Sequence, residues 1–302
     1  MNFRNRFLPS LLLSLIFLSA GAQVISFDRK VSEGDSRTAR IRFRLSREYT
    51  FMIPGAGQPI QKVESMDLAL LTGIKILKLN EKGFPCELEL LPMVLGGTIN
   101  GRRLEPAILQ NRKILANLAS YPCGFRPVDG QELSGEAETV LSALFRVQQN
   151  ISISDILGGP RRFRQGESWN PNLSPVLKSL SKRRLPLKES EVKAQAKFEN
   201  LFKVNGIDCA AVVLNISTAG TFSHDFRLRT RIVLPVKESD GGVINMTREG
   251  TEIIDRKMLS DDPAAAGTSL RLMTTEQMEV TFAPSEEKTE NKSSDFFRNL
   301  FR

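Results

Sequence analysis

The chain has 302 residues, with 42 Lys and Arg against 34 Asp and Glu, one histidine, three cysteines and a formal net charge of +8. A lone histidine excludes a His-rich metal centre, and three cysteines exclude a disulfide-dense miniature scaffold. The positive excess suits solubility and attraction to anionic surfaces, but charge alone does not define a nucleic-acid binder and no specific nucleic acid is expected.

Residues 1–22 read as a cleaved leader. Arg4 and Arg6 precede a mainly apolar stretch from Phe7 to Leu18, and Ala20, Gly21 and Ala22 offer small residues for cleavage before Gln23. The apolar run is shorter than the roughly 20 residues that span a bilayer. Removing the leader takes away two arginines and no acid, lowering the net charge from +8 to +6. The expected location is exported, periplasmic or secreted, with a soluble mature chain. Residues 23–284 form the expected β-rich globular domain, with two lobes able to meet near 158–171, and 285–302 form a tail.

Along the mature chain, residues 39–45 alternate apolar and basic. Ile41, Phe43 and Leu45 face inward, and Arg40, Arg42 and Arg44 form a solvated strand face. The turn at Pro54, Gly55, Ala56 and Gly57 is followed by a strand over 66–79 and another over 84–94, joined at Gly83. Within the second, Glu87 and Glu89 alternate with leucines and belong to the wet face of a sheet, not to a catalytic pair. The glycines of 96–101 fail the phosphate-loop pattern, because Arg102 and Arg103 stand where Lys and Ser or Thr are required. Asn100 and Gly101 instead suit a hairpin turn.

Residues 134–149 change to helical spacing. Ser134 is a candidate N-cap, Glu136 and Glu138 fall in the first turn, and Val140, Leu141, Leu144, Phe145 and Val147 make an apolar face. A short strand is expected at 151–154. Residues 158–171 then form an extended arm, punctuated by Gly158, Gly159, Pro160 and Gly166, whose only tryptophan, Trp169, is the expected structural anchor. Ser174 and Pro175 open a short helix, and 191–204 suit either a long strand or a helix.

Asn205 and Gly206 turn the chain into an apolar strand at 207–216, and 226–234 alternate again. Shorter strands follow at 243–246, 252–258, 270–273 and 278–282. The tail from 285 is apolar-poor and expected to be disordered, ending in an amphipathic stretch with Phe296, Phe297, Leu300 and Phe301 on one helical face.

Between Arg161 and Lys188 lie eight basic residues and one acid, Glu167. Arg161, Arg162, Arg164, Lys182, Arg183 and Arg184 are therefore the candidate ligand-binding residues, suited to an anionic lipid or polysaccharide. Cys86 and Cys123 are the pair a disulfide would join, with unbonded thiols as the alternative. Cys209, in an apolar run, reads as a small buried hydrophobe. His224 has no Gly-x-Ser-x-Gly elbow to serve, so no catalytic residue, metal or cofactor is assigned.

The arm Gly166-Glu-Ser-Trp169 resembles the Gly-(Asp/Glu)-x-Trp segment of bacterial exported families of unknown function, and is similar to the DUF6263-like group. The resemblance spans about residues 37–235, including a strand-turn-strand over 76–90, a helix over 139–147 and an apolar strand over 207–216. It implies a β-rich domain and assigns no catalytic residue. The odd cysteine, the cluster at 182–184 and the aromatic tail lie outside it.

The resulting expectation is a mainly β fold with minor α, an antiparallel curved sheet or sandwich with one or two packed helices. The leading function is an exported, non-enzymatic binding or envelope-associated protein that engages an anionic or lipidic ligand. The alternatives are a secreted hydrolase with acids gathered by the fold, and a structural partner in an envelope assembly acting through Phe296, Phe297, Leu300 and Phe301.

Overall fold

Alternation decides the architecture. In residues 36–52, Ala39, Ile41, Phe43 and Leu45 are buried on one face, while Arg40, Arg42 and Arg44 lie on the other. Repeated from strand to strand, this pattern gives a sheet with one apolar and one polar face. The structure, a computed structural model, describes residues 23–27, 31–119, 123–145, 153–159, 161–175, 177, 189–218, 224–237, 242–257 and 268–284.

The strands in chain order are β1 (Gln23–Ile25), β2 (Ser36–Met52), β3 (Ile60–Leu79), β4 (Pro85–Ile99), β5 (Arg102–Arg103), β6 (Ile114–Asn117) and β7 (Gly124–Pro127). Two helices follow, α1 (Gly135–Leu144) and α2 (Ile153–Leu157). Then come β8 (Arg161–Phe163), β9 (Ser168–Trp169), β10 (Val192–Val204), β11 (Ile207–Thr218), β12 (His224–Pro235), β13 (Asn245–Lys257) and β14 (Ser269–Pro284). One antiparallel sheet runs β7-β6-β4-β3-β2-β14-β13-β12-β11-β10-β9, with β5 beside β4. The sheet does not close on itself. It is a mainly β fold with minor α, as the alternation predicts.

Turn chemistry sets the register. Asn100 and Gly101 have φ of 50° and 78°, and Asn205 and Gly206 have 49° and 83°, the paired left-handed geometry of tight hairpins. Gly97 has φ 137°, and a Cβ there would overlap the Asp67 carbonyl of β3. Only glycine lets β3 and β4 approach so closely at that point.

The apolar face carries two hydrophobic clusters. Helix α1 covers the β2–β4 half through Ala137, Val140, Leu141 and Leu144, all buried. Ser134 caps it as expected, its Oγ accepting from the Ala137 N–H at 3.2 Å. A different lid covers the β10–β12 half. There β1 and β8 form a separate two-stranded ribbon that buries Ile25, Phe27 and Phe163 against Ala196, Phe198 and Leu214.

Trp169 joins that lid. Its ring lies 4.6 Å from Phe163 and 6.3 Å from Phe27, and its Nε1 donates to the Leu157 carbonyl at 3.1 Å. Met246 packs against both clusters. Between them sit Arg248 and Glu276, with Nε and Oε1 3.9 Å apart.

Several expectations need correction. Residues 153–157 are helix α2, not strand, and the Gly158 N–H closes its last turn onto the Ser154 carbonyl. The four short strands expected after 242 are two long ones, β13 and β14, because their polar middles face the polar side while Arg248 and Glu276 pair on the apolar side. Residues 192–204 are strand, resolving the strand-or-helix choice.

Cys86 and Cys123 are not bonded. Each lies one residue beyond the pairs Glu87–Asn117 and Asn117–Gly124, so β6 runs between them. Two strand spacings amount to about 10 Å, too far for a disulfide. Their thiols instead donate to the Lys78 and Phe145 carbonyls. Cys209 is buried, as expected. The leader, Lys182, Arg183, Arg184, and the tail with Phe296, Phe297, Leu300 and Phe301 lie outside the described residues.

Candidate functional site

A trough of about 1020 Å³ reaches across eight strands, from β4 through the centre of the sheet to β10, and is lined by residues of both faces, among them Leu45, Met66, Ile216 and Leu228 of the apolar one. Strand pairing orders its side chains into cross-strand rungs. The central rung runs Gln195, Asn215, Arg229 and Glu249 on β10–β13. It continues as Gln277, Arg44, Asp67 and Thr98 on β14, β2, β3 and β4. A flanking rung adds Lys193, Ser217 and Arg227, then Thr251, Thr275 and Ser46. Amides, hydroxyls and guanidinium groups share the lining with Leu45, Met66, Ala194, Ile216 and Leu228.

The charges are arranged mostly as neighbouring pairs. Arg44 Nε donates to Asp67 Oδ2 at 3.1 Å, with both side chains half exposed. Glu199 sits at a bulge in β10, where it accepts from Arg231 Nε at 2.9 Å and lies 3.9 Å from Arg229. Arg227 reaches Asp225 at 3.5 Å. Such exposed pairs contribute little to stability, on the order of 1 kcal/mol or less, and remain available to exchange partners. Lys193 has no ion-pair partner among the described residues, and it stands at the β10 end of the trough.

Three carboxylates, Asp67, Glu249 and Glu276, line the trough. Asp67 and Glu249 are the carboxylates of the central rung, and three strand spacings place them about 14 Å apart along the sheet. Paired-carboxylate hydrolysis needs roughly 5–9.5 Å. Among the described residues no group of three or more His, Cys, Asp or Glu could hold a metal ion. No helix among them is long and apolar enough to cross a membrane, which says nothing of strands.

The arginines singled out in the arm lie elsewhere. Arg162 pairs with Val24 in the β1–β8 ribbon, and both are exposed on the outside of the lid over the apolar face. Arg164 is exposed just beyond, and Arg161 pairs with Ile25. Among the described residues, neither Arg162 nor Arg164 lines the trough. Arg44, expected to be merely solvated, lines it instead. The trough has no signal in spacing, because no strand contributes more than three of its polar side chains.

No family model matches the chain, and no curated protein matches it either. Solved structures with some likeness include one titled lipid-protein interactions in lipovitellin, at 12% identity and a TM-score of 0.24. It matches 85% of this chain, which spans only 26% of that one. The NanC porin matches 82% of this chain and 99% of its own at 6% identity and TM-score 0.15. Pseudomonas aeruginosa OccK11 (OpdR) matches 84% and 98% at 7% identity and TM-score 0.17. Scores this low carry no argument about fold or function.

Proposed function

We propose that the protein is an exported, non-enzymatic binding protein whose trough holds an extended, hydroxyl-rich anionic ligand, of the acidic polysaccharide class. The observation that carries this reading is the trough itself. Its many amides and hydroxyls match a polyol, and Lys193, Arg227, Arg229 and Arg44, drawn from three strands, supply cations along its length. Ligand carboxylates would replace Asp225, Glu199 and Asp67 as partners of those arginines. Little stability is sacrificed in that exchange, since the internal pairs are solvent-exposed. Export rests on the leader composition of residues 1–22.

The test is calorimetric titration with an oligouronate hexamer at low and moderate salt. The combined variant Lys193→Gln, Arg227→Gln and Arg229→Gln should weaken binding at least tenfold and flatten its salt dependence. Binding that survives these changes rejects the trough. Replacing Arg161, Arg162 and Arg164 by Gln should leave affinity unchanged, and loss there with the trough intact would move the site to the arm. For export, mass spectrometry of secreted protein should find Gln23 as the first residue; an intact Met1 overturns that part.

A further inference from the structure

The β2–β3 hairpin outruns β4. Strand β4 ends at Ile99, opposite Met66, so among the described residues no strand flanks the outer side of 60–64. On the other side β14 begins at Ser269, opposite Met52. The turn beyond has Gly55 at φ 81° and no neighbouring strand among the described residues.

Its chemistry is unlike that of the rest of the surface. From Tyr49 to Gln61, thirteen consecutive residues carry no charge. Met52, Ile60 and Val63 are 59%, 55% and 61% exposed, the three most exposed large hydrophobics among the described residues. Pairing places Ile60 with Phe51 on one side of the ribbon and Val63 with Glu48 on the other. Met52, adjacent to Phe51, faces the same way as Val63. Apolar exposure is thus two-sided.

Directly behind this tip sits an ionic collar. Lys62 Nζ donates to Glu64 Oε1 at 2.8 Å, the Tyr49 hydroxyl donates to Glu64 Oε2 at 3.1 Å, and Arg47 lies 4.0 Å away. Lys62 Nζ also stands 5.8 Å from the Tyr49 ring centre. The Lys62 hydrogen bond is the main cause holding the Glu64 carboxyl below its usual range, so the collar stays charged at neutral pH.

Both sides of the ribbon present apolar side chains to be covered. A lipid interface surrounds both sides, and a tyrosine with mixed charges at the boundary matches the headgroup layer. We propose that the β2–β3 hairpin inserts its uncharged tip into the interface of a lipid bilayer, up to the collar at Tyr49, Lys62 and Glu64. Depth is limited by the backbone. The unpaired outer edge of β3 needs water or headgroups for its amides, so the ribbon enters the interfacial zone and stops short of the hydrocarbon centre. This anchoring is independent of the trough.

The experiment uses full chain purified from an export host and vesicles of phosphatidylcholine alone, so that anion binding contributes nothing. Wild type should co-sediment with the vesicles. The variant Met52→Glu, Ile60→Glu and Val63→Glu should partition at least tenfold more weakly with an unchanged melting temperature, while Arg229→Gln partitions normally. Met52→Trp should add an emission that shifts to the blue on vesicle binding and is quenched by brominated lipid, a readout specific to the tip. Equal partitioning of the triple variant, or an added emission that neither shifts nor is quenched, overturns the proposal. So does a dimer in sedimentation velocity that the triple variant abolishes without any vesicle binding, because the tip is then covered by a second copy.

Discussion

The two lids on the apolar face solve the same problem by opposite means. Over β2–β4 the cover is ten consecutive residues, a capped helix whose hydrogen bonds are all local in sequence. Over β10–β12 it is a clasp of Phe27, Phe163, Trp169 and Leu157, gathered from both sides of α1 in sequence and meeting only once the chain has folded. The difference teaches where each half is vulnerable. The helix lid should fail gradually, side chain by side chain, whereas the clasp should fail as a unit, because each ring holds the next.

The most severe way to break the comparison is Phe163→Ala. This ring is 1% exposed and touches Phe27, Trp169 and Phe198, so its loss should cost about 4 kcal/mol. Hydrogen exchange should then accelerate in β10–β12 while β2–β4 stay protected; simultaneous loss in both would show one cooperative unit. Leu141→Ala, in the helix lid, should cost about 3 kcal/mol by denaturant titration and produce the mirror-image exchange pattern. The double variant should be additive to within roughly 0.5 kcal/mol, as expected of separated sites.

Finer changes sharpen the contrast. Trp169→Phe keeps a ring in the clasp but removes the donor to the Leu157 carbonyl, and should cost about 1 kcal/mol, read as a shift in melting temperature. Ser134→Ala removes the helix cap and should cost about 0.5–1 kcal/mol in the same assay.

The smallest effect concerns pH. Asp129 near α1 is held below its ordinary value of 3.8 chiefly by the Arg112 hydrogen bond, and Asp208 in the β10–β11 hairpin chiefly by the Lys203 hydrogen bond. A carboxyl depressed in the folded state contributes stability above its unfolded pKa and loses it as pH falls through the folded value. Asp129→Asn and Asp208→Asn should therefore each flatten the melting-temperature profile slightly below about pH 4, leaving its slope unchanged between about pH 5 and 8.

Much of the sheet could be read from residue order, because half-buried strands advertise themselves. The alternation of Ala39 through Leu45 and of Phe226 through Leu234 places β2 and β12, and the Asn-Gly turns at 100–101 and 205–206 give the hairpins. Helix α1 announces itself through Ser134 and its spacing. β13 and β14 broke into fragments because Arg248 and Glu276 interrupt the apolar face with charges that come within 3.9 Å of each other only after pairing. The cysteine pair misled because proximity in a β meander depends on which strand intervenes, here β6. The trough was invisible for a related reason. Its rungs are perpendicular to the chain, so Arg44, Arg229 and Lys193 share a site without sharing any local pattern.

β14 pairs along its whole length with β2 on one side and along most of it with β13 on the other, joining residues more than 200 positions apart. It is the keystone between an N-terminal meander and a C-terminal one. Until synthesis has delivered that last long strand, the two meanders have no seam, and each presents a bare, sticky margin to its surroundings. Folding of the full sheet is thereby deferred until β14 has been made, the slow regime of distant pairings. A stop between Lys257 and Ser269 would leave two half-sheets without the strand that pairs with both.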